Sequence, residues 1–110
     1  MSFKLTTEQV RDQTKDVTRR LGWWFLKPGD ILNACVQCQG LKKGEKVEKI
    51  CQIMVVERFG VPLSMIRLHP SECAREGFPD MTPDEFIEMF CLHHKCGEHK
   101  DVNRIVFKYI

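Results

Sequence analysis

The sequence predicts an α+β fold, a small mixed sheet or barrel flanked by short helices, and three observations predict it. Ile31 to about Cys38 and the longer run Val47 to Phe59 flank a polar turn, Lys42-Lys43-Gly44-Glu45-Lys46. Two apolar runs around a Gly turn read as a hairpin, with Ile50, Ile53, Met54, Val55 and Val56 as its core. Thr82-Pro83-Asp84-Glu85 opens a helix: Thr82 caps, Pro83 takes the first helical position and Glu85 completes a capping box. From Arg104 to Ile110 the chain alternates, which puts Ile105, Phe107 and Tyr109 on one face of a closing strand.

The other elements follow in order. Thr7 to about Thr14 reads as a helix, capped by Thr6 with Gln9 in capping-box spacing. Asp16 to Leu21 reads as a short extended segment. Lys27-Pro28-Gly29-Asp30 is a turn, since Pro pre-sets one φ and Gly supplies the permissive next position. Leu63 to Ile66 and Ser71 to Arg75 are short helical pieces broken by Pro70 and Gly77. On the Thr82 helix, Phe86, Ile87, Phe90, Cys91 and His94 share one side, with Met81 and Met89 packing beside them. No repeat and no regular βαβ unit interrupts this order.

Composition narrows the function classes. The 110 residues fit one domain, and 43% hydrophobic with 29% charged residues excludes disorder, collagen and coiled coil. Seventeen basic against 15 acidic side chains leave +2, too little for a bulk grip on nucleic acid. A polyanion contact therefore needs a local cluster. Lys42, Lys43, Lys46 and Lys49 at the hairpin tip are one, although Glu45 and Glu48 dilute them to a solvated hairpin end. No apolar run approaches the roughly 18–20 residues that span a bilayer, and the first residues lack an apolar signal core. The expected location is cytoplasmic, with no membrane partner and with six cysteines held as thiols or metal ligands.

The cysteines form two groups: Cys35-Val36-Gln37-Cys38, and Cys91 with His93, His94, Cys96 and His99. Cys35, Cys38, Cys91 and Cys96 offer an alternative zinc set. A regular strand over 31–38, however, aims Cys35 and Cys38 at opposite faces. The favoured reading has no cofactor: Cys35, Cys51, Cys73 and Cys91 are small packing residues. A thioredoxin-like redox pair lacks its βαβ context.

Four pieces carry a resemblance: Lys15-Asp16-Val17-Thr18-Arg19-Arg20; Phe25-Leu26-Lys27-Pro28-Gly29-Asp30; Glu76-Gly77-Phe78 followed by Met81-Thr82-Pro83-Asp84-Glu85-Phe86; and Arg104-Ile105-Val106-Phe107. Together, and in this order over nearly the whole chain, they resemble the ASCH domain, a PUA-like β-barrel family. The resemblance implies one ASCH-type domain over residues 1–110. The family includes RNA-associated domains, a ribonuclease and small bacterial amidohydrolases that deacylate acetylcytidine. In those amidohydrolases a Lys, a Thr three residues on and a distant Glu form the proposed catalytic set. The matching positions are Lys15, Thr18 and Glu76, with Arg20 at the position of the nearby Arg.

Chemistry frames what such a set needs. A Thr hydroxyl attacks only when a base takes its proton, and a Lys is that base only when neutral. Desolvation or neighbouring cations lower a Lys pKa; Arg19 and Arg20 are such cations, whereas Asp16 beside Lys15 would raise it. Glu76 would protonate the leaving amine or activate water. Arg19 and Arg20 are substrate-binding candidates, and Trp23 or Trp24 would stack on a pyrimidine. The expected partner is thus a nucleoside or RNA, with an amidohydrolase, a non-catalytic RNA-binding module or a metal-assisted ribonuclease as the open activities. The plain alternative makes Lys15, Thr18 and Arg20 an exposed, solvated strand.

Overall fold

A computed structural model describes residues 1–37 and 44–110. Its elements are α1 (Thr7–Arg11), β1 (Val17–Arg20), β2 (Ile31–Cys35), β3 (Lys49–Pro62), α2 (Glu72–Arg75), α3 (Pro83–His94) and β4 (Asp101–Tyr109), with 3₁₀ turns at Lys4–Thr6 and Leu63–Leu68. The strands form one antiparallel sheet in the order β1-β4-β3-β2, curled into a half-barrel. The class is α+β. Among the described residues no helix is long and apolar enough to cross a membrane.

The β2–β3 hairpin pairs as its apolar runs predict, with Leu32 opposite Ile53 and Ala34 opposite Cys51. The proposed strand end at Cys38 and the turn lysines Lys42 and Lys43 lie outside the described residues. The Lys27–Asp30 turn closes with the Asp30 amide donating to the Lys27 carbonyl at 3.0 Å, and Gly29 takes φ +94°. Only Gly adopts that conformation without strain.

Strand β3 carries a bulge between Val55 and Glu57 in its pairing with β4. The extra residue, Val56, breaks the alternation that the sequence implied. Val55 and Ile53 are buried, and Val56, expected in the core, is exposed. Two apolar clusters hold the molecule. One joins Phe3, Val10, Ile53, Val55, Ile105 and Phe107; the other joins Leu63, Ile66, Cys73, Phe86, Phe90 and Val102. Each fully buried large side chain of this kind contributes about 1.5–3 kcal/mol.

Helix α3 begins as its sequence dictates. The Glu85 amide donates to Thr82 Oγ1 at 3.2 Å, and the Thr82 amide donates to Glu85 Oε1 at 3.0 Å. The first helix departs from expectation. It is shorter, ending at Arg11, and Thr6 makes no side-chain cap. Thr6 already belongs to the preceding 3₁₀ turn and is buried. Its methyl lies 3.0 Å from where a Cβ on Gly77 would sit. Packing, rather than capping, decides that side chain.

Candidate functional site

Strand β1 is the floor of the site. It lies at the sheet margin beside β4, with Thr18 opposite Ile105 and Arg20 opposite Asn103. A marginal strand would normally be solvated, but Lys15 and Thr18 are each only 3% exposed and Arg19 only 6%. The exposed-strand alternative is therefore overturned. Two pieces cover β1: the N-terminal segment, whose Ser2 carbonyl accepts from Arg20 Nη2, and the short helix α2.

Helix α2 and the residue after it supply two acids one turn apart, Glu72 and Glu76. Residues four apart on a helix share a face. Arg19 bridges them: Nη1 donates to Glu76 Oε2 at 2.8 Å, and Nη2 donates to Glu72 Oε1 at 2.9 Å. Lys15 Nζ donates to the Glu76 backbone carbonyl and lies 3.4 Å from Glu76 Oε1. Arg104 adds bonds to Glu72 from β4, Nε at 2.6 Å and Nη2 at 3.2 Å. Burial pushes the Glu72 carboxyl up, but its bonds to Arg104 and Arg19 win and hold it down at about 2.

The Lys15 amine moves the other way. Burial, the largest influence, lowers its pKa; Glu76 raises it; Arg20 and Arg19 lower it again, and the net shift is downward. Asp16, expected to oppose this from the next position, is turned away. Its carboxylate is gripped by Arg75, Nε at 2.9 Å and Nη2 at 3.0 Å.

Thr18 and Arg20 share a face of β1, as alternation requires. Arg20 Nε donates to Thr18 Oγ1 at 3.1 Å, and the guanidinium rests 4.9 Å from the Phe3 ring centre. These groups open on a cavity of about 890 Å³ that Lys15, Thr18, Arg19, Arg20, Trp23 and Glu76 line together. The same cavity is lined also by Phe78, Phe86, Met89 and Phe90, with His93 and His94 from the last turn of α3. The His94 ring lies 4.2 Å from that of Phe90. Burial, His93 and Arg20 lower its pKa, which favours neutral imidazole. Arg19 stands between this cavity and a smaller one of about 470 Å³, lined also by Glu72, Arg75 and Arg104.

The two tryptophans separate. Trp23 has φ +61° and lines the cavity. Its carbonyl accepts from Asn103 Nδ2 at 2.9 Å, and the Gly22 carbonyl accepts from the same nitrogen at 3.1 Å. Those bonds hold an otherwise costly left-handed residue. Trp24 is not on the cavity wall; it lies across Gly60 of β3, where a Cβ would meet its ring at 3.1 Å.

The alternative zinc set does not assemble among the described residues. Cys35 sits at the end of β2 and its thiol donates to the Asn33 carbonyl. Cys91 and Cys96 pack against the other cluster, with α3. Cys38 lies outside the described residues, and no group of three or more His, Cys, Asp or Glu among those described is arranged to hold a metal ion.

Sequence reasoning singled out Lys15, Thr18, Arg19, Arg20, Trp23, Trp24 and Glu76, and the cavity contains all of them but Trp24. It missed Glu72, Arg104 and Phe3, and it grouped His93 and His94 with Cys91 and Cys96 rather than with this cavity. The i,i+4 spacing of Glu72 and Glu76 was the available signal for the first of these. Comparison of the chain with protein families, with curated proteins and with solved structures finds no match.

Proposed function

We propose that this is a PUA-like domain of ASCH type whose cavity binds an acylated pyrimidine nucleoside and hydrolyses its amide. One observation carries the reading: Lys15, Thr18 and Glu76, brought from two distant stretches of chain, line the same cavity. The donor and acceptor arithmetic supports it. A neutral amine has two N–H donors and one lone pair. Lys15 directs its hydrogens at the Glu76 carbonyl and Oε1, which leaves the lone pair for a proton. Thr18 Oγ1 accepts from Arg20, so its own proton is the one to give.

The steps balance as follows. Thr18 Oγ attacks the acyl carbon while Lys15 takes the hydroxyl proton. The ammonium so formed is stabilised by the Glu76 carboxylate. It then protonates the departing exocyclic nitrogen, the C–N bond breaks and an ester on Thr18 remains. Water hydrolyses that ester and returns the proton to Thr18 Oγ. Glu76 Oε2 is bonded to Arg19 and Oε1 faces the Lys15 amine, so Glu76 stabilises the Lys15 ammonium as it forms and does not itself carry the second proton. Trp23 supplies the ring on which the base stacks.

The experiment is release of cytidine from N4-acetylcytidine by the wild-type protein and by Thr18→Ala. The reading requires turnover by the first and its loss in the second. Equal rates remove Thr18 as nucleophile. A second reading, a non-catalytic RNA-binding module, rests on the outer surface. There Trp24 is 46% exposed on Gly60, and Arg58 lies 5.9 Å from its ring centre. It predicts salt-dependent RNA binding without turnover.

A further inference from the structure

The last turn of α3 ends in a left-handed cap, Lys95 with φ 52° and ψ 52°, and the Cys96 amide donates back to the Cys91 carbonyl at 3.2 Å. This six-to-one bond closes the helix and brings the side chains on either side of the cap into contact. Here both of those side chains are cysteines. Both are half-buried and pack against the same cluster of Phe86 and Phe90. His93 and His94, which line the cavity, lie on the chain between them.

We propose that Cys91 and Cys96 are a thiol modification site that closes to a reversible disulfide and staples the cavity-facing end of α3. A disulfide needs its two backbones within about 7 Å of each other, and the cap bond from the Cys96 amide to the Cys91 carbonyl, at 3.2 Å, holds these two together. The other described cysteines are placed differently: Cys73 is fully buried beside Leu63 and Phe86, Cys35 bonds a backbone carbonyl, and Cys51 packs on the first cluster from β3, opposite Ala34. The oxidant class is a low-molecular-weight disulfide. One thiolate attacks it, forms a mixed disulfide and releases one small thiol. The second protein thiolate then attacks the mixed sulfur, forms the Cys91–Cys96 bond and expels the other small thiol. Two protein thiols are oxidised and one small disulfide is reduced.

Burial and the neighbouring Cys96 push the Cys91 thiol up, so thiolate is scarce near neutrality and the reaction quickens with pH. The test is incubation of the folded chain with oxidised glutathione, followed by non-reducing peptide mapping. Expected is a peptide linking Cys91 to Cys96, reversed by dithiothreitol. Its rate of formation should rise about tenfold per pH unit below the thiol pKa. Hydrogen exchange of the amides at 92–96 should slow in the oxidised form. Cys91→Ser should stop at a mixed disulfide on Cys96. Mapping of the wild type decides the matter without any variant: two separate mixed disulfides, a link to another cysteine, or both thiols unreacted after prolonged incubation overturns the proposal.

Discussion

The Lys15 amine and the Glu76 carboxylate lie 3.4 Å apart, each 3% exposed, although 61 residues separate them in the chain. Two groups this deep have lost most of their hydration, and when the amine is charged the pair stabilises only when its remaining hydrogen bonds are also made. Arg19 and the Glu76 carbonyl make them. Glu76 therefore serves two ends: it anchors α2 over β1, and it faces the amine that the proposed reaction needs neutral.

Lys15→Met should lower amide hydrolysis by about 10²–10⁴-fold, the usual worth of a positioned base. The sign of the pH effect follows from the downward shift of Lys15. Below its folded pKa the amine is protonated and cannot accept from Thr18, so the wild-type rate climbs as pH rises through that value. A pH–rate profile of kcat/KM checks this, and the rising limb should vanish in the Met variant.

Glu72→Ala should be more damaging to folding than to binding of a ligand in the main cavity. It leaves Arg19 and Arg104 short of a buried partner, a loss of about 3–5 kcal/mol. Because Glu72 is held at about 2, below its ordinary 4.5, the stability it adds is fully present above pH 4.5. That contribution is lost as pH falls toward 2. Urea unfolding followed across this range should show the wild type weakening with acid, and a shallower acid dependence in the variant.

Gly77→Ala tests how Glu76 is presented. Gly77 has φ +99°, and an added Cβ would meet the Thr6 methyl at 3.0 Å. The strain and the clash together should cost about 1–3 kcal/mol. Chemical denaturation measures it, and Gly97→Ala, where nothing lies within 4 Å, is the control with little effect.

Thr82→Ala removes the Thr82 Oγ1 half of the capping box on α3, leaves the backbone half to Glu85, and should destabilise the protein by about 1 kcal/mol. The helix packs Phe86 and Phe90 behind the cavity, so a matching fall in thermal midpoint is expected.

Much of this fold was legible locally. The α3 cap, the β2–β3 hairpin and the alternating β4 all obey short-range rules, and Thr82, Leu32 and Ile105 behave accordingly. What was not legible came from distant packing. Thr6 is claimed by Gly77 instead of capping a helix, and Val56 is turned out by a bulge set in pairing with β4. The burial of Lys15 and Arg19 depends on Glu72 and Glu76 of the α2 turn, which no pattern in residues 15–20 announces. Of the site, the residues named by resemblance meet in one cavity, while Glu72, whose carboxylate ties Arg19 and Arg104 together, has partners 53 and 32 residues away that no local pattern joins to it.

The most direct measurement is to mix the protein with N4-acetylcytidine, quench in acid within the first turnovers and map the peptides by mass. The account predicts an acetyl group carried on Thr18 of the Val17–Arg20 segment, absent in Thr18→Ala. Cytidine release with no acetyl on Thr18 at any quench time, and with the rate unchanged in that variant, would contradict it.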